Sequence, residues 1–252
     1  MTPTMLRRAA RMSRAAYEPD DALMTAGAIK FENKRTSTVA YLLRQERQQW
    51  LIWRGTDGSI KDWIYNLAII PIRLRGGSWI HGGFYLAHRS LWADIKKELE
   101  PDQPLMVIGH SLGGALAETT VIRLKNAKRE GFKKQFTQIN MIAFGKPNLF
   151  FRFQRRKNAE LSFAGFKTHL SVVNSSDLVA RIPRFGYRPA LNQTQLWFGP
   201  DDDIINPTTA VKREHWNLSS SLRDHRMEGY CSRMKEFCES PLVATLSSKL
   251  RE

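Results

Sequence analysis

The sequence predicts an α/β fold with a mostly parallel central sheet, helices on both faces of the sheet and one further short helix. Two observations predict this fold. Apolar runs rich in β-branched and aromatic residues alternate along the chain with segments of helical periodicity. One run, at residues 105–108, passes through a glycine-framed serine straight into a segment rich in Ala and Leu. This strand, turn and helix order favours parallel strands joined by right-handed crossovers.

Length and composition favour one domain over residues 1–252. Hydrophobic residues make up 42% of the sequence and aromatic residues 10%, enough for a sizeable core. No Pro/Gly/Ser-rich or single-charge linker divides the chain, and no apolar run approaches the roughly 18 residues that span a bilayer. We therefore expect a globular chain without an internal domain boundary.

The first segment, at residues 6–17, is basic and has helical spacing. Its arginines are spread through the segment and it has no continuous apolar core, so it is a poor secretory signal. An amphipathic first helix and a mitochondrial presequence are both compatible with this composition. The residues expected to face inward in a helix are Leu6, Ala9, Ala10, Ala16 and Tyr17.

Two cysteines, Cys231 and Cys238, are seven residues apart. In a helix this spacing places their Cα atoms about 10 Å apart, which is too far for a disulfide. We expect free thiols, which favour a reducing compartment. The expected location is the cytoplasm, or outside the cell after export without a cleavable signal peptide, with peripheral contact to membranes in either case.

Positive charge is in large excess. Lys and Arg number 39 against 24 Asp and Glu, a net charge of +15. Clusters lie at residues 7–14, 123–134 and 152–157, where Phe150, Phe151 and Phe153 interleave with the last cluster. Solvated helix faces, an anionic membrane surface and nucleic acid remain alternative interpretations. No recognised nucleic-acid module accompanies the clusters, so we expect an anionic membrane surface and no nucleic acid as the partner.

The remaining elements follow from periodicity and turn residues. The predicted strands are residues 37–43 and 50–53 as a hairpin, then 105–108, 139–144, 169–173 and 194–198. One predicted helix begins at residue 60, a second begins at residues 81–84 and ends near 99, and a third begins at 113 and ends near 128. A further helical segment is expected at 149–163. Residues 71–80 are predicted to be irregular. The helix at residues 60–67 has apolar residues at i, i+3, i+4 and i+7, namely Ile60, Trp63, Ile64 and Leu67.

Ser111 occupies the turn after the strand at residues 105–108. Gly109 and Gly113 lie two residues before and after it, where a Cβ would prevent the strand and helix backbones from approaching. This turn would expose the Ser111 hydroxyl and direct a helix N-terminus at any anion formed there. The sequence therefore predicts a nucleophile elbow, although a serine that only caps a helix is the alternative.

A serine nucleophile needs a histidine base and a carboxylate that orients the histidine. In elbow enzymes the acid and then the histidine follow the serine in the chain. Asp177 fits the acid because it follows an apolar strand, although an Asx turn or helix cap is an alternative role. His225 is favoured as the base over His215, which adjoins Trp216.

No cofactor or metal is expected to take part. The consecutive carboxylates Asp201, Asp202 and Asp203 lack the spacing of a calcium loop.

Several motifs in this order resemble the class 3 lipases, the fungal-lipase-like branch of the α/β-hydrolases. The matching segments are Trp-Arg-Gly-Thr at 53–56, His-Gly-Gly-Phe at 81–84, Gly-His-Ser-Leu-Gly-Gly at 109–114, Phe-Gly-Lys-Pro at 144–147, the acid loop at 177–183 and Asp-His at 224–225 with Tyr230. Two family features are absent: the Arg-Val-Gly that usually follows Phe-Gly-x-Pro, and the disulfides of secreted members.

The resemblance implies a serine esterase acting on lipid esters, either a triacylglycerol lipase or a phospholipase A1. It implies that Ser111, His225 and Asp177 form the catalytic triad and that Thr56 and Leu112 supply the oxyanion donors. It also implies that the helix carrying Ile60, Trp63, Ile64 and Leu67 is a lid. The alternative is a catalytically silent lipase-fold protein that binds a membrane, a lipid or a protein partner.

Overall fold

A computed structural model describes residues 2–19, 22–56, 70–183, 185–199, 204–205 and 225–239. The strands in these ranges are β1 (Ile29–Asn33), β2 (Thr38–Gln45), β3 (Gln48–Trp53), β4 (Pro71–Arg73), β5 (Trp79–His81), β6 (Leu105–His110), β7 (Ile139–Phe144), β8 (Phe150–Phe151), β9 (Phe166–Asn174), β10 (Tyr187–Arg188), β11 (Thr194–Phe198) and β12 (Ile204–Ile205). The α-helices are α1 (Pro3–Ala15), α2 (Ala22–Thr25), α3 (Gly82–Glu98), α4 (Leu112–Leu124) and α5 (Met227–Glu239).

The central sheet has the order β1-β2-β3-β6-β7-β9-β11-β12 within the described residues. Five neighbouring strands of this sheet run parallel, namely β3, β6, β7, β9 and β11. Antiparallel pairs form both edges of the sheet. Strands β6 and β7 are buried along their whole length, as expected for parallel strands covered on both faces. The carboxyl ends of β3, β6, β7 and β9 therefore meet at one edge of the sheet.

Helices cover both faces of the central sheet. On one face α3 and α4 pack over apolar side chains that include Phe84, Leu91 and Leu116. On the other face α1 and α5 pack together, and their contacts include Leu6 and Tyr230. The sequence thus supplies two apolar layers, and the sheet lies between them. This arrangement confirms the predicted α/β fold with a mostly parallel sheet.

A second, small sheet lies beside the central sheet and has the order β10-β8-β5-β4. Its strands are two or three residues long. The prediction of an irregular segment at residues 71–80 was wrong, because β4 and β5 form an antiparallel hairpin there. The prediction of a helix at 149–163 was also wrong, because β8 pairs with β5 and β10, and the segment holds only a single 3₁₀ turn, Arg156–Ala159.

Most other predicted elements are present. The hairpin of β2 and β3 is antiparallel, and the first helix buries Leu6, Ala9 and Ala10 as expected. Strand β1 and helix α5 were not predicted from the sequence. Helix α5 carries both Cys231 and Cys238, which are free thiols. No helix within the described ranges is long and apolar enough to cross a membrane.

Candidate active site

Ser111 lies on a sharp turn between β6 and α4. Its backbone has φ 57° and ψ −129°, a strained conformation for a residue with a Cβ. A Cβ on Gly109 would overlap the Gly113 carbonyl, and a Cβ on Gly113 would overlap the Trp53 carbonyl. The two glycines are therefore required for the close approach of β6, α4 and β3. The Ser111 N–H donates to the Phe144 carbonyl at 2.9 Å, which fixes the turn on β7.

His225 and Asp177 meet beside this turn. His225 Nδ1 lies 2.8 Å from Asp177 Oδ2, and both side chains are buried. Because the carboxylate only accepts, Nδ1 carries the proton in this contact. The other ring nitrogen, Nε2, is buried and has no hydrogen-bond partner among the described residues. This tautomer leaves a lone pair on Nε2 that can take a proton from a serine.

The Asp177 carboxylate is held by several neutral donors. Oδ1 accepts from the Val179 and Ala180 N–H groups at 2.8 and 3.4 Å, and Oδ2 accepts from Tyr230 Oη at 2.6 Å in addition to His225. Burial alone would raise the pKa of Asp177, but His225 and the Tyr230 hydrogen bond hold this pKa below its ordinary value. The carboxylate is therefore ionised at neutral pH.

Tyr230 and Gly145 complete the surroundings of Asp177. Burial, followed by the nearby Asp177 charge, raises the pKa of Tyr230 well above its ordinary value, so its hydroxyl stays protonated and donates. Gly145 has φ +54°, and a Cβ there would lie 2.5 Å from Asp177 Oδ2 and 3.1 Å from His225 Nδ1. The Gly of the Phe-Gly-Lys-Pro segment thus makes room for the acid–base pair.

His110, next to Ser111, links the base to the end of β3. Its Nε2 donates to the His225 carbonyl at 2.6 Å, and its Nδ1 accepts from Tyr17 Oη at 2.9 Å. The Gly55 N–H donates to the same Tyr17 oxygen at 2.9 Å. Burial and the neighbouring His225 lower the pKa of His110 to about 3, so the ring is neutral and keeps this pattern of donors and acceptors. The chain of contacts positions the His225 backbone and the segment that leads to Thr56.

Two donors are available for an oxyanion. Thr56 follows Gly55, and its Oγ1 is buried without a hydrogen-bond partner among the described residues. The Leu112 N–H belongs to the first turn of α4, where N–H groups have no partner within the helix. Both positions adjoin the Ser111 turn, since a Cβ built on Gly55 would lie 3.1 Å from Ser111 Cβ.

The structure brings together Thr56, Ser111, Leu112, Asp177 and His225, which are all of the predicted catalytic and oxyanion residues. The predicted lid residues Ile60, Trp63, Ile64 and Leu67 lie outside the described residues, as do His215 and Asp201, Asp202 and Asp203. Sequence reasoning did not assign roles to Tyr17 and His110. Their contacts join residues 93 positions apart, and no local pattern reveals such a contact.

A second buried cluster lies beneath α4. Lys146 Nζ contacts Glu118 Oε2 at 3.0 Å, and His169 Nε2 lies 2.9 Å from Glu118 Oε1, outside the angular range of a hydrogen bond. Burial would raise the pKa of Glu118, but Lys146 and His169 hold it below its ordinary value. Burial also lowers the pKa of His169 despite the Glu118 charge, so Lys146 is the cation of this cluster.

The fold and this site define an α/β-hydrolase with a serine nucleophile elbow. The chain belongs to the class 3 lipase family, because the family model described as Lipase (class 3) matches residues 50–187. It is 27% identical over 202 residues to a secreted mono- and diacylglycerol lipase of Fusarium solani, an alignment that covers 73% of this chain and 54% of that protein. The chain thus spans about half the length of that relative.

Solved structures share the fold. The triacylglyceride lipase of Rhizomucor miehei superposes with a TM-score of 0.64 at 19% identity, covering 88% of this chain and 92% of that chain. A lipase of Rhizopus microsporus var. chinensis gives a TM-score of 0.65 at 21% identity, covering 88% of this chain and 85% of that chain. At these identities the similarity shows the fold alone.

Proposed function

We propose that the protein is a serine esterase that hydrolyses carboxylic ester bonds of lipids. The observation that carries the proposal is the buried contact of 2.8 Å between His225 Nδ1 and Asp177 Oδ2, next to a serine on a nucleophile elbow. Structural histidine–carboxylate pairs occur in many folds, but this pair lies beside the Ser111 turn, because His110, the neighbour of Ser111, donates to the His225 carbonyl at 2.6 Å. His225 Nε2 has no partner among the described residues and so is available as a base.

In the proposed mechanism, His225 Nε2 takes the proton of Ser111 as Oγ attacks the ester carbonyl. The imidazolium is stabilised by the Asp177 carboxylate, which keeps its negative charge. Thr56 and the Leu112 N–H donate to the tetrahedral oxyanion. His225 then protonates the leaving alcohol, and a water molecule activated by the same histidine releases the fatty acid from Ser111.

The family and the name of one relative support a substrate class. The Fusarium solani relative is named a mono- and diacylglycerol lipase, which supports an acylglycerol ester for this chain. A phospholipid ester of the phospholipase A1 type is the second candidate, and the net charge of +15 favours it because anionic headgroups would be attracted. Both candidates use the same acyl-enzyme chemistry.

Release of fatty acid tests the proposal directly. We expect the purified chain to release fatty acid from emulsified diacylglycerol or from phospholipid vesicles, and Ser111→Ala to abolish the release. The matched control Ser90→Ala changes a serine on α3 and should retain the rate. If fatty acid is released equally by the native chain and by Ser111→Ala, a contaminant is responsible and the proposal is wrong. If neither acylglycerol nor phospholipid is hydrolysed, a silent lipase-fold protein becomes the better interpretation.

A further inference from the structure

Exposed apolar side chains gather on the small sheet. Four of the seven large hydrophobic residues that are exposed in the described ranges lie in or within two residues of its strands, one at each strand. They are Ile70 (72% exposed), Trp79 (37%), Phe153 (79%) and Phe185 (91%). A group of exposed apolar side chains of this kind is typical of an interaction surface.

The aromatic residues form a continuous surface. Ile80 and Phe150 are register partners and are fully buried, so their neighbours Trp79 and Phe151 lie on the opposite, outer face of the sheet. Phe153 contacts Phe151 with ring centroids 5.5 Å apart. These rings therefore share one side of the molecule.

Phe185 extends this surface on the side of β10. The neighbouring Gly186 carbonyl accepts from the Arg152 N–H at 2.7 Å, which ties the Phe185 segment to the residue between Phe151 and Phe153. We call the residues Trp79, Phe151, Phe153 and Phe185 the aromatic face.

A basic cavity adjoins the aromatic face. It has a volume of about 490 Å³, and Arg73, Arg75, Arg89, Lys96, Arg123 and Arg129 line it. Arg73 is the register partner of Trp79, so the two side chains lie side by side on the outer surface of the β4–β5 hairpin. The cavity and the aromatic face therefore form one connected surface.

The cavity has far more positive than negative charge. Among the described residues that line it, Glu130 is the one acidic residue. Glu130 pairs with Arg123 at 2.6 Å and accepts from the Trp92 indole at 2.8 Å. Arg73, Arg75 and Arg89 have no carboxylate partner among the described residues. The buried Nη1 of Arg123 has no hydrogen-bond partner there either. The cavity thus offers several guanidinium donors to an anion of phosphate type.

More cations border the other side of the aromatic face. Arg152, Arg155, Arg156 and Lys157 are all exposed, and Arg156 contacts Glu160 at 3.6 Å. Exposed rings bordered by arginines on both sides suit a surface that is apolar at depth and anionic at its boundary. A membrane with acidic phospholipids has both properties.

We propose that the aromatic face docks on an anionic phospholipid bilayer, with its rings in the interface and the basic cavity holding lipid phosphates. A nucleic-acid duplex would satisfy the arginines but would leave Phe153 and Phe185 without an apolar partner. Because the proposal names the membrane partner of the proposed lipase, it rests on the proposed function.

The small sheet is connected along the chain to the loops that hold the candidate acid. Strand β8 follows the segment of Gly145, which contacts Asp177, and β10 follows the acid loop itself. The Asn148 N–H also donates to the Ile182 carbonyl of the acid loop at 2.7 Å. The small sheet is therefore joined to the loops that hold the acid, whereas the basic cavity contains Arg123 and so lies about 18 Å along α4 from Ser111.

Vesicle sedimentation of the full chain carrying Ser111→Ala tests docking without hydrolysis. We expect stronger partitioning onto phosphatidylcholine vesicles that contain phosphatidylglycerol than onto phosphatidylcholine alone. Adding Phe153→Ser and Phe185→Ser should weaken partitioning about tenfold or more on anionic vesicles. Adding Arg73→Gln and Arg152→Gln should weaken it by about fivefold per charge, and only on anionic vesicles.

Matched controls change exposed residues elsewhere. Met24→Ser removes an exposed apolar side chain, and Lys133→Gln with Lys167→Gln removes exposed charges, in both cases away from the small sheet. Both controls should partition like the Ser111→Ala parent. If the controls and the test pairs weaken binding equally, the docking surface is elsewhere. If random duplex DNA is bound more tightly than anionic vesicles at physiological salt, the partner is nucleic acid and the proposal fails.

Hydrolysis of a soluble short-chain ester by the otherwise native chain separates this proposal from the proposed function. If the ester is hydrolysed but the test pairs do not weaken vesicle binding, docking is wrong and the esterase assignment stands. If the vesicles are bound as expected but no ester is hydrolysed, docking stands and the esterase assignment is wrong.

Discussion

Two buried histidine–carboxylate pairs occur among the described residues, and each includes a residue on strand β9 or just after it. His225 contacts Asp177, which follows β9, at 2.8 Å, and His169 on β9 lies 2.9 Å from Glu118. Both carboxylates are fully buried. Distance and burial alone therefore do not distinguish a candidate catalytic pair from a structural one.

The difference lies in what else contacts each carboxylate. Asp177 accepts from neutral donors, the Tyr230 hydroxyl and two backbone N–H groups, so its negative charge remains available to stabilise a positive charge on His225. Glu118 is already compensated by the Lys146 ammonium at 3.0 Å. Burial lowers the pKa of His169, and Lys146, which would repel a second positive charge there, lowers it further. A carboxylate charge that no cation already compensates therefore distinguishes the pair suited to catalysis.

The largest expected effect is on turnover. His225→Gln should lower kcat on a soluble ester by about 10⁴-fold, because it removes the base. The matched change His169→Gln in the other pair should leave kcat within about threefold, since that histidine is predicted to have no part in the chemistry. Steady-state kinetics of both folded variants measures kcat. A similar loss of kcat in the two variants would show that the two pairs are not functionally distinct.

The next effect is on stability. Lys146→Met should lower the free energy of unfolding by about 3–5 kcal/mol, because it leaves the Glu118 charge buried without its cation. Urea unfolding monitored by circular dichroism measures the loss. The double variant Lys146→Met with Glu118→Gln removes both charges and should recover most of it. If the double variant is as unstable as Lys146→Met, an unpaired charge is not the cause.

Mild acid should destabilise the fold through the histidines that burial keeps neutral. Burial lowers the pKa of His110 to about 3, whereas the unfolded chain binds this proton below the ordinary value of 6.5. The unfolded state therefore binds more protons between these values, and stability falls as pH falls below 6.5. From pH 7 to pH 5 the contribution of His110 is about 2 kcal/mol.

Urea unfolding at pH 7 and pH 5 checks this expectation. Asp177 and Glu118 do not contribute to the change in stability between pH 7 and pH 5. Their lowered pKa values stabilise the fold above the ordinary carboxyl range. That stability is lost only as the pH falls through the lowered pKa values. An unchanged free energy of unfolding between the two pH values would contradict burial of a neutral His110.

The smallest effect concerns Tyr230. Tyr230→Phe removes one neutral donor from Asp177 Oδ2, and a buried hydrogen bond of this kind is worth about 1 kcal/mol, so kcat should fall about fivefold. Losing the donor should also raise the pKa of Asp177. Because the less compensated carboxylate would hold a proton on His225 more strongly, the acid limb of the pH–rate profile should move to higher pH. The control Tyr85→Phe, on α3, should change neither kcat nor the pH–rate profile. An unchanged profile in Tyr230→Phe would mean that this hydroxyl does not tune the acid.

The sequence predicted the parts of the molecule that local chemistry determines. The buried strands β6 and β7 appear as apolar runs, and the turn at Ser111 needs Gly109 and Gly113 in any structure that brings these backbones together. Long, strongly patterned elements carry their own signal. The order of the catalytic residues along the chain then limited the choice of acid and base, and the structure places the chosen Asp177 and His225 in contact.

The small sheet was missed because its strands are too short to show alternation. Residues 149–163 contain basic residues spaced as on a helix, yet Phe150 and Phe151 pair with strands that lie distant in the sequence. Tertiary pairing overrode the local pattern there. The Lys146–Glu118 pair was also missed. It is a tertiary contact between residues 28 positions apart, and no local pattern in the sequence indicates it.

Covalent labelling tests most directly whether His225 and Asp177 activate Ser111. A fluorophosphonate reacts with an activated serine whatever the lipid substrate, and intact-mass spectrometry counts the adducts. We expect one adduct on the native chain, in the presence of detergent or vesicles, and none on Ser111→Ala or His225→Ala. An adduct that survives His225→Ala but is lost in His215→Ala would contradict the assignment of the base. No adduct on the native chain would contradict the activated serine itself.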